Sequence, residues 1–157
     1  MDNETALAAV IADEASNQPH VGKVAVGRVI QNRTRLHFMS DGTIMGTILQ
    51  PMQFSGLWCD FTNGHYGRVI FTHDAAAARL ASKATNYAKS PGNWMDCLLA
   101  ARQALGEASF VTNEPGYASL TDETVNYLNP KVVHPLPAWA SADKLDAVIY
   151  DHSFYHR

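Results

Sequence analysis

Apolar residues in the first part of the chain recur with the period of a helix. Leu7, Val10 and Ile11 fall at i, i+3 and i+4, and Glu14 takes i+7, so a carboxylate continues the apolar stripe just before Gln18-Pro19 ends the pattern. Val21, Val24, Ala25 and Val29, with Val26 and Ile30, predict a second helix to about Leu36, with Lys23, Arg28, Gln31 and Arg35 on a partly solvated far side. A short segment from Thr43 to Leu49 closes on Pro51. From Met52 to Phe71 aromatics, glycine and Asn/Asp predict an irregular excursion with short strands. The alanine-rich run His73–Ala88 predicts a helix on propensity. After Pro91-Gly92-Asn93, a further helix from Trp94 to Ala104 turns Trp94, Leu98, Ala101 and Leu105 inward and stops at Gly106. Residues 107–144, with four prolines, read mostly as loop, and Ala147–Tyr150 and Ser153–Tyr155 read as two strands around the tight turn Asp151-His152. The pattern is α+β, mainly helical, with a small C-terminal β-hairpin.

Length supports one domain spanning residues 1–157: with 46% hydrophobic residues the chain can bury a real core and is short for two. A formal net charge of -3 offers no basic field for nucleic acid or an anionic membrane, so a polymeric partner has to be gripped by shape and hydrogen bonds. No apolar run reaches bilayer length, and residues 1–15 lack the basic start and apolar run of a secretory signal; the expectation is a monomer made in the cytoplasm, without membrane insertion. Cys59 and Cys97 cannot form a disulfide framework and lie in no CxxC pair.

Glu14 has two readings. Sheltered on the core side of its helix, it is desolvated, its pKa rises, and it stays protonated near neutral pH as a general acid. At a frayed helix end it is an ordinary, partly exposed glutamate.

Several separated segments decide how that choice is weighed. Val10–Pro19 ends a helix on a glutamate and closes on proline; Gly22–Arg33 forms a second helical run; Gln50-Pro51-Met52-Gln53-Phe54-Ser55 is a proline-glutamine-phenylalanine-serine segment; and Tyr127-Leu128-Asn129-Pro130 and Asp151-His152-Ser153-Phe154-Tyr155 complete the order. In that order and spacing the chain resembles the SleB-type cell-wall hydrolases, a family that includes spore-cortex-lytic enzymes and phage endolysins. The resemblance implies a lysozyme-like or transglycosylase-like α+β domain acting on the glycan strands of peptidoglycan, with Glu14 at the position of the catalytic glutamate. Read as a bare catalytic domain with no leader and no wall-anchoring repeats, the chain is expected to be a phage endolysin that works on the cell wall after release from the cytoplasm. The sequence departs from the family in carrying Asp13 where glycine is usual and Ser16-Asn17-Gln18 where arginine-glycine-glutamate is usual. Asp13 either raises the pKa of Glu14 by like-charge repulsion or faces solvent.

Glycosidic cleavage needs a proton on the leaving oxygen while positive charge builds at the anomeric carbon. Ordinary hydrolysis adds a second carboxylate, for which Asp41, Asp60 and Asp74 are candidates. A lytic transglycosylase dispenses with it, because the muramoyl C6 hydroxyl attacks intramolecularly and leaves a 1,6-anhydro-muramoyl end. For substrate binding, Gln53, Ser55, Tyr127 and Asn129 are the candidate hydrogen-bonding groups, and Phe54 or Trp58 the surface for a sugar face. Core packing is the alternative for the two aromatics, and turn bonding for Gln53 and Asn129. No cofactor and no metal are expected. The rival readings are a zinc-dependent amidase or peptidase cutting the peptide stems, for which no HExxH or comparable cluster is present, and a non-catalytic glycan-binding domain.

Overall fold

Helix α1 (Asn3–Ala15) starts on Asp2, whose carboxylate accepts a hydrogen bond from the Thr5 amide at 2.7 Å. The computed structural model describes residues 1–51, 53–59 and 71–157, together with the backbone of 61–62 and 65–66. Ala6 to Ala12 are buried on every side of α1, and not only along the Leu7/Val10/Ile11 stripe. The difference lies in Ala6, Ala8, Ala9 and Ala12, whose small side chains let neighbours close in all round, and a helix without a polar face belongs in a core. Those neighbours are α2 (His20–Arg35), α3 (Ile44–Ile48), α5 (His73–Tyr87) and α6 (Pro91–Ala104).

α2 reaches α6 and α1 at Gly27. A Cβ there would stand 2.7 Å from the Ala104 Cβ and 3.1 Å from the Ile11 Cδ1, so the close approach requires glycine. Lys23 corrects the expectation of a solvated side: it is 4% exposed, with its ammonium donating to Asp96 at 2.7 Å and Asn93 at 2.6 Å on α6. The long apolar stem buries readily because both bonds satisfy the charged end. α6 begins three residues ahead of the predicted Trp94, since Pro91 fits the first helical position, where its missing N–H costs nothing.

A short helix α4 (Ser55–Trp58) and a two-residue strand pair, β1 (Phe61–Thr62) with β2 (His65–Tyr66), follow α3, and α7 (Pro115–Ala118) follows α6. The predicted hairpin is present as β4 (Leu145–Ile149) and β5 (His152–His156), entered through a 3-10 turn at Ala142–Lys144. A third strand, β3 (Thr124–Leu128), lies in the segment read as loop and gives an antiparallel sheet of order β3-β5-β4. Tyr127 sits opposite Phe154 and Leu128 opposite Ser153. Register shifts at Thr124/Asn126 and Leu145/Ala147 mark bulges, which twist both outer strands.

The last turns of α2 rivet this sheet to the helices. Asn32 donates to the carbonyls of Thr121 at 3.0 Å and Thr124 at 2.9 Å, and the Arg33 Nε donates to the Val125 carbonyl at 2.5 Å. Cys59 and Cys97 are both free thiols in buried positions. No described helix is long and apolar enough to cross a membrane.

Candidate active site

Glu14 occupies the last turn of α1, where the helix emerges from the core beneath β3. Its carboxyl lines a cleft of about 540 Å³, within the range of small-molecule sites. Of the residues singled out from the sequence, the cleft brings together Glu14, Gln53, Ser55, Tyr127 and Asn129. Along the wall, α1 supplies Glu14, the turn before α4 supplies Gln53, the start of α4 supplies Ser55, β3 supplies Tyr127, and the loop after β3 supplies Asn129.

Phe54 corrects the expectation of a sugar-facing aromatic. Its extended backbone ahead of α4 turns the side chain inward, where it is 2% exposed, and Trp58 is likewise packed in the core. The aromatic wall comes from Trp139, a residue with no periodic signal among the prolines of its loop, which stands edge-on to Tyr155 with ring centroids 5.6 Å apart. His152 lines the cleft too, edge-on to Tyr127 at 5.5 Å. Its Nδ1 is buried with no hydrogen-bond partner among the described residues, and burial lowers its pKa toward the neutral ring.

Burial pushes the Glu14 carboxyl up from an ordinary 4.5 to about 7, and the negative charge of Asp13 adds to the rise. A hydrogen bond from the Tyr127 hydroxyl and the positive charges of Lys83 and Arg33 act in the opposite direction. Tyr127 in turn is held well above the usual phenol range by its own burial and by the Glu14 charge, so it stays a donor. Asp13 does not face open solvent. Its Oδ1 accepts from the Lys83 ammonium at 2.6 Å and the Tyr87 hydroxyl at 2.8 Å, both on α5. Gly56 backs this arrangement, because a Cβ there would fall 2.1 Å from the Asp13 Oδ2.

The remaining carboxylates considered from the sequence stand elsewhere. Asp41 is exposed and caps its own turn through the Thr43 amide at 2.8 Å, Asp74 is exposed in the first turn of α5, and Asp60 lies outside the described residues. Among the described residues the cleft therefore offers two carboxylates, Asp13 and Glu14, and the first is engaged by a lysine and a tyrosine. No three His, Cys, Asp or Glu side chains converge among the described residues.

The binding groups keep free hydrogen-bonding capacity. The Gln53 side-chain oxygen accepts from Arg33 at 3.1 Å, which among the described residues leaves its amide N–H groups to the cleft. Asn129 uses its oxygen for the Lys131 amide at 2.9 Å, so the turn role and an available amide coexist in one side chain. Gln18, where the chain departs from the family pattern, bonds Asn17 at 3.1 Å and Asp151 at 3.2 Å and so ties the end of α1 to the β4–β5 turn. Arg33 is a site residue that helical periodicity hides. It is 6% exposed, and its guanidinium fastens α2 to Val125, Asn126 and Gln53 directly beneath the cleft.

Searches of curated proteins and of solved structures gave no match. A family model described as Cell Wall Hydrolase matches residues 17–155. That match starts beyond Glu14. With most of the chain inside the match, the protein belongs to the SleB-type cell wall hydrolase family, whose role is the degradation of peptidoglycan.

Proposed function

We propose that the protein cleaves the glycosidic bond between the muramoyl and glucosaminyl residues of peptidoglycan as a lytic transglycosylase, with Glu14 as acid and then base. The observation that carries this reading is a cleft in which, among the described residues, Glu14 is the carboxyl without an ion-pair partner, and burial raises its pKa to about 7. Protonated Glu14 gives its proton to the leaving oxygen as the bond to the anomeric carbon breaks. The carboxylate so formed accepts the proton of the muramoyl C6 hydroxyl while that oxygen bonds the anomeric carbon, which returns Glu14 to its acid form and consumes no water. A tethered hydroxyl has a high effective concentration, so the step needs no second carboxylate to orient a water. The Tyr127 hydroxyl, bonded to Glu14, steadies the carboxylate during the interval when it is charged. Gln53 and Asn129 present amide donors to the acetamido and hydroxyl groups, and Trp139 offers an apolar face to a sugar ring.

Digestion of purified sacculi in ¹⁸O-labelled water tests the reaction class. Unlabelled 1,6-anhydro-muramoyl ends are expected, and labelled reducing muramoyl ends would show hydrolysis instead. The resemblance to endolysins extends the proposal to host lysis at the wall after release from the cytoplasm. Co-expression with a membrane-pore protein is expected to lyse cells with the wild type and not with Glu14→Gln.

A further inference from the structure

The Glu14 cleft adjoins a second cavity of about 400 Å³, and the two share Gln53, Tyr127 and Trp139 as common wall. The second cavity has the opposite electrostatic character. Among the described residues no Asp or Glu lines it, whereas Arg33, Lys144 and Arg157 do, with His156 beside them. This is a local concentration of positive charge in a chain whose formal net charge is -3.

Two of these groups are already neutralised from behind. Arg157 pairs with Glu123 at 2.5 Å, and the His156 ring bonds Asp146 at 2.7 Å. Arg33 and Lys144 have no carboxylate within ion-pair distance among the described residues. Arg33 is the more telling of the two. Its buried guanidinium donates only to uncharged oxygens, those of Val125, Gln53 and Asn126, and a guanidinium has five N–H groups. The Glu14 charge in the neighbouring cleft acts on Arg33 from beyond ion-pair distance, and a buried guanidinium whose hydrogen bonds among the described residues go to neutral oxygens is costly, so an anion beside it recovers part of that cost.

We infer that this basic cavity is a subsite for a carboxylate carried by the muramoyl residue, on its lactyl arm or its peptide stem. The inference rests on the proposed action on glycan strands. The sugar rings of such a strand are uncharged along the backbone, and its carboxylates hang from the muramoyl units. A strand seated with its reacting bond at Glu14 carries those substituents out sideways, and the adjoining cavity is where positive charge awaits them. Lys144 at the rim supplies a mobile ammonium and Arg33 a fixed guanidinium at the floor, so the subsite orients the muramoyl unit as well as attracting it.

The test uses sacculi whose carboxylates have been converted to amides with carbodiimide and ammonium, which keeps the glycan and removes the charge. The wild type is expected to show a kcat/KM about fivefold higher on native than on amidated sacculi, with the preference shrinking as salt is raised. Lys144→Gln is expected to reduce that ratio and Lys144→Glu to abolish or invert it, with unchanged thermal unfolding showing that the fold is kept. A stem-bearing muramoyl unit has its lactyl carboxyl in amide linkage, so the preference on sacculi reads stem carboxylates, whereas strands stripped by an amidase carry the lactyl carboxylate alone: a preference there over their amidated form places the bound group on the lactyl arm, and a preference on sacculi alone places it on the stem. A wild type that shows no preference for the native over the amidated form of either sacculi or stripped strands, while cleaving both through Glu14, overturns the subsite and leaves the glycosidic reading standing. No glycan cleavage of either substrate would overturn that reading instead.

Discussion

Replacing Glu14 by glutamine separates what the residue does for folding from what it does for chemistry. In the unfolded chain the carboxyl ionises around 4.5, whereas in the folded cleft it holds its proton to about 7. A group whose pKa is raised by folding contributes stability below its unfolded pKa and loses it as pH climbs through the folded value. At about 1.36 kcal/mol per pH unit, the loss approaches ~3 kcal/mol by pH 8. Glutamine has the same shape, still accepts a bond from Tyr127, and never ionises. Chemical denaturation of both proteins at pH 4 and pH 8 is the assay. The variant is expected to match the wild type within about 0.5 kcal/mol at pH 4 and to exceed it by roughly 2–3 kcal/mol at pH 8, since all other titrating groups cancel in the difference. The same variant is expected to lose activity on sacculi by orders of magnitude. A stability gap of equal size at both pH values would refute the argument, for it would mean that Glu14 titrates as an ordinary exposed carboxyl.

Asp13→Asn removes the charge that adds to the Glu14 rise and leaves Lys83 unopposed, so the fall of kcat/KM on the alkaline side is expected to move to lower pH; a pH–rate profile checks it. Tyr127→Phe deletes the hydrogen bond that favours the carboxylate, which moves that limb to higher pH while kcat drops about 100- to 1,000-fold, as for loss of one transition-state donor. Gly27→Ala forces a methyl to within 2.7 Å of the Ala104 Cβ and is expected to cost about 1–3 kcal/mol, as overpacking does, read from a denaturation midpoint shifted without a change in slope.

What could be read from the chain was local. Helices α1, α2, α5 and α6 announce themselves by period or alanine content, and Glu14 stands out because it completes a stripe that should be apolar. Strand β3 does not, since Thr124 to Leu128 are buried on nearly every residue and so lack alternation, and their partner β5 lies far along the chain. Lys23 and Arg33 look like the polar side of a helix, and only tertiary packing shows that each is buried with its charged end bonded to another element. Phe54 beside Gln53 and Ser55 is equally consistent with a groove or a core until the backbone turn into α4 is known. Trp139 carries no local signal at all, because a loop residue becomes a wall by where the loop lies.

That loop has a further consequence. Val132, Val133 and Pro137 form part of the cleft yet belong to a stretch that is largely solvent-exposed and contributes little to the interior, while the acid sits on the most deeply embedded helix of the molecule. In the proposed reaction, the acid and this part of the substrate wall therefore come from separate parts of the chain. Random variation confined to residues 130–138 should retune which walls are digested without eroding the proton donor, which makes this rim the natural place to begin directed evolution.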